Sequence, residues 1–104
     1  MKIYLAMPRD LERLRNDLQY DPATGNFTVN RTGNVIGYFN TKQRRSKTIT
    51  YRGICYSQGR LAWYWVTGED PKNNRVIYKD GNAQNCAWAN LALVPAAVDA
   101  EVAA

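Results

Sequence analysis

The first regular pattern of apolar residues is the stretch PRDLERLRNDL at residues 8–18. Leu11, Leu14 and Leu18 recur at three- and four-residue spacing, with charged residues between them. This spacing places the leucines on one face of a helix, and Pro8 is tolerated in a first helical turn. The pattern therefore predicts a short amphipathic helix.

The next two stretches have the short alternation that is typical of β-strands. YDPATGNFTV at residues 20–29 opens with turn-forming residues, after which Phe27 and Val29 alternate with polar neighbours. NRTGNVIGYF at residues 30–39 adds a second strand that glycine interrupts. Together they predict a hairpin.

A second hairpin and a core helix are predicted in the middle of the chain. In TITYRGICY, residues 48–56, two β-rich runs flank an Arg-Gly pair whose glycine accepts positive φ. QGRLAWYWVTGEDP, residues 58–71, predicts a helix that is apolar nearly all round and ends at Gly68. Its aromatics at residues 63–65 are interpreted as packing residues and not as a base-stacking platform, because they lie beside leucine and valine at helical spacing.

An asparagine-dense loop follows in RVIYKDGNAQNCAWANLAL, residues 75–93. Asparagine is a poor strand former, so several within a few positions indicate tight turns, ligand contacts or a structural framework. A small, featureless tail at residues 95–104 starts with Pro95 and is expected to be disordered. The 104 residues show no repeat and no linker, which predicts one domain over residues 1–104.

Composition excludes several classes of protein. No apolar run reaches the roughly 20 residues of a membrane span, and the start is too short in its apolar part for a secretory signal, so we expect a cytoplasmic protein. The chain has no histidine, which removes the usual zinc ligand and the usual general base. Cys55 and Cys86 are expected to be reduced, buried hydrophobes.

Charge is distributed unevenly around the formal net value of +5. Between Asp21 and Glu69 there is no acidic residue, whereas seven cations are interspersed with aromatic residues. This composition is typical of a surface that faces phosphates, although a merely solvated basic face would have the same composition. The candidate DNA-binding residues are Lys42, Arg44, Arg45, Lys47, Arg52 and Arg60.

The order of these segments resembles the phage-type HNH homing endonuclease family. In that family, YDPxTGxFTW leads through a Gly-rich hairpin and GKxYxxHRLAW…GxxP to DHxDGNxxNNRxxNLR. The corresponding text here is YDPATGNFTV, RGICYSQGRLAWYWVTGEDP and VIYKDGNAQNCAWANLAL, within residues 11–94. The resemblance implies an α+β fold in which an N-terminal helix, two β-hairpins and a core helix lead into a degenerate ββα-metal (HNH-like) motif.

In that family, a two-stranded ribbon and a helix hold one divalent cation, and a ribbon histidine activates water for attack on a phosphodiester. The resemblance puts Ile77 at the metal-binding aspartate and Tyr78 at the general-base histidine. Isoleucine offers no oxygen to a cation, and a phenol with an ordinary pKa of about 10 is a poor base at neutral pH. The adjacent Lys79 could lower that pKa. Both chemical roles are otherwise missing, so we expect no catalytic residue and no bound metal.

Other family positions have also changed. Gly59 stands at the histidine of HRLAW, and residues 85–87 replace the family's NNR. Asn90 corresponds to the middle asparagine, which ties the loop backbone together, so the asparagines are interpreted as a retained framework. Asp99 falls near the third family position by spacing, but Pro95 lies where that helix would run. A rebuilt Mg²⁺ site from Asp80 and Asn82, with Asp99, is the competing interpretation.

Three functions follow from these residues. The first is a catalytically inactive, phage-encoded protein that binds duplex DNA phosphates through the basic segment 31–60. The second is a phage inhibitor that captures a host or defence protein in the cytoplasm of a bacterial host. The third is a residual nuclease, which would need a divalent metal such as Mg²⁺.

Overall fold

The computed structural model describes residues 11–39, 47–51, 53–72 and 74–95, together with the backbone of residues 3–4. These parts of the chain form an α+β architecture, as predicted. The helices are α1 (Leu11–Asp17) and α2 (Gln58–Thr67). The strands are β1 (Ile3–Tyr4), β2 (Leu18–Tyr20), β3 (Phe27–Val29), β4 (Val35–Ile36), β5 (Tyr38–Phe39), β6 (Lys47–Tyr51), β7 (Ile54–Ser57), β8 (Arg75–Tyr78) and β9 (Leu91–Val94).

The strands form three small sheets. One sheet has the order β2-β3-β4 and is antiparallel throughout. The second has the order β1-β7-β6-β5, in which β1 runs parallel to β7 and the other pairs are antiparallel. The third is the antiparallel ribbon β8-β9, in which Tyr78 lies opposite Leu91. This ribbon is the part of the fold that carries the candidate site.

The predicted N-terminal helix is confirmed, but its end is corrected. The helix α1 stops at Asp17, and Leu18 starts the strand β2, where it pairs with Val29. Leu18 is buried in the core. An apolar residue at this spacing fits a helix face or a paired strand, and here the pairing with β3 decides between them. Predicted residues 8–10 of this helix lie outside the described residues.

Both predicted hairpins are present. The β3–β4 hairpin turns through Gly33, which has φ of 74°. Gly37, at φ 130°, then breaks the predicted second strand, so that β5 joins the other sheet. A Cβ at Gly37 would lie 2.5 Å from the Gln58 side-chain oxygen, so glycine is required there. The β6–β7 hairpin pairs Tyr51 with Ile54 around the predicted two-residue turn.

The helix α2 is the predicted core helix, and Gly68 ends it. Gly68 has φ of 74° and its N–H donates to the Tyr64 carbonyl at 2.8 Å, which is a left-handed C-cap. Leu61 and Ala62 are fully buried, but Val66 is 44% exposed, so the expectation of an all-round apolar burial is wrong for the last turn.

The aromatics of α2 are used in packing, as interpreted. Trp65 meets Phe27 edge-on, with ring centroids 5.2 Å apart, and Trp63 lies 4.9 Å from Trp88. One hydrophobic cluster joins both helices and all three sheets, with Leu14, Phe27, Ile49, Leu61 and Leu91 among its buried members. The N-terminal hairpins and the ribbon β8-β9 therefore share a core.

Both cysteines are free and buried, as expected. No helix in the described ranges is long and apolar enough to cross a membrane. The tail predicted to be disordered is residues 95–104; Pro95 is within the described part of the chain, whereas residues 96–104, which include Asp99, lie outside it.

Candidate functional site

The candidate site is the loop that joins β8 to β9, residues 79–90. Its first turn is closed by the Gly81 N–H, which donates to the Tyr78 carbonyl at 2.9 Å, and Gly81 has φ of 75°. The Lys79 N–H donates to the Asn90 carbonyl at 2.8 Å and continues the ribbon beyond β8. A short 3₁₀ helix, Trp88–Asn90, returns the chain to β9.

Asn90 is the centre of this loop. Its side-chain oxygen accepts from the Asp80 N–H at 2.9 Å. Its Nδ2 donates to the Asp80 carboxylate at 2.9 Å and to the Asn85 carbonyl at 2.9 Å. The buried amide therefore connects the start, middle and end of the loop, which is the framework position that the resemblance implied for Asn90.

The Asp80 carboxylate is held from both sides. One oxygen accepts from the Asn82 N–H at 2.8 Å and from Asn90, and the other accepts from the Asn85 side-chain amide at 3.0 Å. The hydrogen bond from Asn85 is the largest cause of a pKa below the ordinary value, and the bonds from Asn82 and Asn90 act in the same direction. The charge of Asp80 is therefore used to organise the loop.

Asn82 and Asn85 also use their side-chain oxygens to stabilise turns. The Asn82 side-chain oxygen accepts from the Gln84 N–H at 3.0 Å, and that of Asn85 accepts from the Ala87 N–H at 3.2 Å. Such side-chain-to-backbone bonds two residues ahead are the reason why asparagine is favoured in turns. The asparagine density seen in the sequence is thus explained by loop structure.

The Tyr78 side chain lies between Gly59 of α2 and Cys86 of the loop. Burial raises the pKa of its phenol well above the ordinary value, and the Cys86 thiol, to which the phenol donates a hydrogen bond, adds to the shift. The adjacent Lys79 is exposed, and the direction of the shift is opposite to the lowering that an adjacent cation would cause. Because the phenol stays protonated at neutral pH, Tyr78 cannot act as a general base there.

The Tyr78 hydroxyl occupies the space in front of Gly59, near the start of α2. A Cβ on residue 59 would overlap the hydroxyl oxygen and would lie 3.1 Å from the ring carbon that carries it. Residues 59 and 78 both stand at positions where the resembled family has histidine. The sequence did not predict their contact, and the only signal for it was that both positions depart from the family together.

Cys86 is the hydrogen-bond partner of the Tyr78 hydroxyl. It is fully buried, and burial raises the pKa of its thiol to about 11, while the Lys47 ammonium and the hydrogen bond from Tyr78 act in the opposite direction. The thiol is therefore protonated at neutral pH and is a poor nucleophile or metal ligand. Its backbone carbonyl accepts from the Tyr20 hydroxyl at 2.6 Å.

These residues do not fit a divalent cation. Ile77 has no donor atom, the Tyr78 hydroxyl faces Gly59 and Cys86, and both oxygens of Asp80 are bonded within the loop. No group of three or more His, Cys, Asp or Glu side chains in the described ranges could hold a metal. Hard cations need several oxygen ligands, and the side-chain oxygens of Asp80, Asn82, Asn85 and Asn90 already accept hydrogen bonds within the loop.

The predicted DNA-binding residues are only partly within the described ranges. Lys42, Arg44, Arg45 and Arg52 lie outside them. Lys47 is half-buried at the start of β6, with its ammonium near Cys86. The Arg60 guanidinium donates to the Asn74 carbonyl at 2.8 Å and the Lys72 carbonyl at 2.6 Å.

Arg60 thus has a structural role. Burial lowers the pKa of its guanidinium, and the Asp70 carboxylate opposes that shift. Its Nε is buried and makes no hydrogen bond within the described part of the chain. The guanidinium fixes the segment that leads from α2 into β8.

The site is a two-stranded ribbon whose connecting loop is tied by one buried asparagine. The family model described as HNH endonuclease matches residues 59–100, which include the ribbon, the loop and the facing residue Gly59. This part of the chain is HNH-endonuclease-like, as the resemblance predicted. No curated protein and no solved structure matches the chain.

Proposed function

We propose that this protein binds DNA through an HNH-endonuclease-like scaffold that no longer cuts. The observation that carries the proposal is the side chain of Tyr78, which is half-buried against Gly59 at the position of the family's general base, where burial raises the pKa of its phenol. The match of residues 59–100 to HNH endonucleases supports a role connected with nucleic acid.

Loss of cleavage follows from the chemistry of phosphodiester hydrolysis. That reaction needs a base to activate water and a cation to neutralise the developing charge. Ile77 and Tyr78 supply neither group. The Asp80 carboxylate would have to give up its three hydrogen bonds before it could bind Mg²⁺, and the loop would lose its framework.

DNA contact is assigned to the basic, acid-free interval between Asp21 and Glu69. Lysine and arginine side chains that approach phosphates release condensed counterions, which makes binding favourable and sensitive to salt. The proposed contacts are Lys42, Arg44, Arg45, Lys47 and Arg52, with Arg60 secondary because its guanidinium is engaged with backbone carbonyls.

Two measurements on the purified protein test this function. Fluorescence anisotropy with a labelled duplex should show binding that weakens steeply as salt is raised. A supercoiled plasmid incubated with Mg²⁺ or Mn²⁺ should stay intact. Nicking that is abolished by a chelator and by Tyr78→Phe would overturn the claim of inactivity, and absence of duplex binding at low salt would overturn the DNA-binding claim.

A second candidate function is capture of a host or defence protein, with the chain encoded by a phage. It is favoured by two large exposed side chains on the consecutive strands β4 and β5, since Val35 is 61% exposed and Tyr38 is 66% exposed. Exposed aromatics are common centres of protein interfaces. Pull-down from host lysate with and without added nuclease separates the two functions, because only direct capture survives removal of DNA.

A further inference from the structure

A second site lies away from the ribbon β8-β9, between the end of α1 and the turns of the β3–β4 and β6–β7 hairpins. It is a cavity of about 370 Å³ lined by Asn16, Asp17, Val29, Asn30, Arg31 and Tyr51. This volume is near the lower end of the roughly 300–1,000 Å³ that small-molecule sites occupy. It suits a single ring system with a short polar substituent, and is too small for a peptide or an intact duplex.

The wall of the cavity at Asn30 is fixed by hydrogen bonds. The Asn30 N–H donates to the Asp17 carbonyl at 2.9 Å, and its Nδ2 donates to the Asn16 carbonyl at 2.9 Å and the Leu18 carbonyl at 3.3 Å. These bonds tie the β3–β4 turn to the end of α1. A site that is already ordered loses less conformational entropy when a ligand binds.

The lining combines the groups that recognise a nucleobase. Tyr51 and Val29 are half-buried and pack against the core, so they offer an aromatic ring and an apolar side chain. Asn16 adds an amide and Asp17 a carboxylate, which are the kinds of group that match the donor and acceptor edges of bases, whereas the Asn30 Nδ2 is used in the two bonds that fix the wall. A carboxylate in the lining disfavours a phosphate within the cavity itself. Arg31 is exposed in the β3–β4 turn, where its guanidinium would reach the phosphate next to a base bound in the cavity.

We propose that this cavity binds one unstacked nucleobase of a nucleic acid strand, with the Arg31 guanidinium on the neighbouring phosphate. The nucleic acid nature of the ligand rests on the proposed function, whereas the single-base size and chemistry rest on the cavity. The cavity lies between the two hairpin turns, and four of its six lining residues, 29–31 and 51, belong to the acid-free interval. The protein therefore prefers DNA that has an unpaired base over a fully paired duplex.

The test compares two labelled DNA hairpins that differ only in whether a 2-aminopurine is bulged or paired. We expect the protein to bind the bulged hairpin about tenfold more tightly, since stacking of one base on an aromatic side chain is of that order. Tyr51→Ala should abolish the preference, and Tyr51→Phe, which keeps the ring, should retain it. Arg31→Ala should weaken binding to the bulged hairpin more than Arg75→Ala, which removes an exposed cation of β8 away from the cavity.

Titration of the wild-type protein with dAMP, followed by NMR, gives a second readout that needs no variant. The backbone amides of Asn30, Arg31 and Tyr51 should shift, and those of the β8-β9 ribbon should not. Equal affinity for both hairpins, or a preference that persists in a folded Tyr51→Ala protein, would overturn the cavity assignment while leaving DNA binding intact. If neither hairpin binds, the proposed function fails, and only the dAMP titration tests the cavity assignment. Shifts of the cavity amides would then support the assignment, and their absence would overturn it.

Discussion

Gly59 and Tyr78 compete for the same volume, and this contact explains two departures from the family at once. A large side chain at residue 78 that turns toward α2 leaves no room for a Cβ at residue 59. Conversely, glycine at residue 59 leaves a gap that the phenol fills. Return of histidine at residue 59 without a change of Tyr78 would place two side chains in one space, which close-packed interiors do not tolerate.

Gly59→Ala should therefore destabilise the protein although alanine is the better helix former. The helix preference would favour alanine by roughly 0.5–1 kcal/mol. Overpacking typically costs about 1–3 kcal/mol, so we expect a net loss of about 1 kcal/mol or more in the free energy of unfolding, measured by urea denaturation.

The double variant with Tyr78→Phe provides the control for that experiment. Removal of the hydroxyl relieves the closest overlap, so Gly59→Ala should cost less in the Tyr78→Phe background than in the wild type. A thermodynamic cycle in which the two changes are additive would contradict the contact.

Asp80 makes the loop sensitive to acid. Its pKa in the folded protein is below the ordinary value, chiefly because of Asn85, so the carboxylate contributes stability that is present above the unfolded pKa of about 4. That contribution is lost as the pH falls from about 4 through the lower folded pKa. We expect thermal unfolding of Asn85→Ala, which lacks the first donor, to depend less on pH in this range than that of the wild type. Identical pH profiles would contradict this role.

At the scale of elements, the turn between β2 and β3 is held against the loop that joins β8 to β9. The Tyr20 hydroxyl donates to the Cys86 carbonyl at 2.6 Å, and the Trp88 N–H donates to the Pro22 carbonyl at 2.9 Å. The buried Gln58 amide donates to the Gly25 carbonyl at 2.8 Å and connects the same turn to α2. The hairpin formed by β2 and β3 therefore supports the loop that joins β8 to β9.

Gly25→Ala should break this support. Gly25 has φ of 81°, and a Cβ there would overlap backbone atoms of residues 86 and 87, with the Cys86 carbonyl oxygen at 2.6 Å. Left-handed backbone costs a non-glycine residue about 1–2 kcal/mol, and overpacking against backbone adds about 1–3 kcal/mol. We expect a decrease of about 3 kcal/mol in the free energy of unfolding.

Gly33→Ala is the matched control, because Gly33 has φ of 74° and a Cβ there meets nothing within 4 Å. It should cost only the backbone strain of about 1–2 kcal/mol. Equal destabilisation by the two variants in urea denaturation would show that packing against the loop contributes nothing.

The elements that the sequence predicted well are those whose signals are local. The helix α2 and the β6–β7 hairpin have long apolar patterns and a glycine at the required left-handed position. The strand β2 was missed because its first residue, Leu18, continues the leucine spacing of α1, and only pairing with β3 distinguishes the strand from the helix. The break at Gly37 depends on Gln58, which is distant in sequence.

The same distinction applies to the candidate site. Loop composition and the family resemblance indicated the asparagine framework, because its hydrogen bonds join residues within one short segment. The contact between Gly59 and Tyr78 joins a helix to a strand, and the cavity at Tyr51 joins α1 to two hairpin turns. Such sites arise from tertiary packing and have no periodic signal in the sequence.

At the scale of the whole molecule, the question is whether positive charge acts as a local contact or as a general field. A net charge of +5 attracts any polyanion, but phosphate contacts at fixed positions release counterions and set the salt dependence of the affinity. The two cases differ in how affinity responds when the same charge is removed from different places.

Two triple variants separate these cases. Lys42→Ala, Arg44→Ala and Arg45→Ala remove the centre of the proposed DNA-binding surface, and Arg13→Ala, Arg75→Ala and Lys79→Ala remove equal charge from exposed positions outside it. Removal of each cation that touches a phosphate should reduce the slope of log affinity against log salt by about 0.9, so the first variant should flatten the slope strongly and the second only slightly. The measurement is anisotropy with one duplex at several salt concentrations. If both variants flatten the slope equally, the affinity follows net charge, because a field that acts at a distance does not depend on which of the cations supplies it.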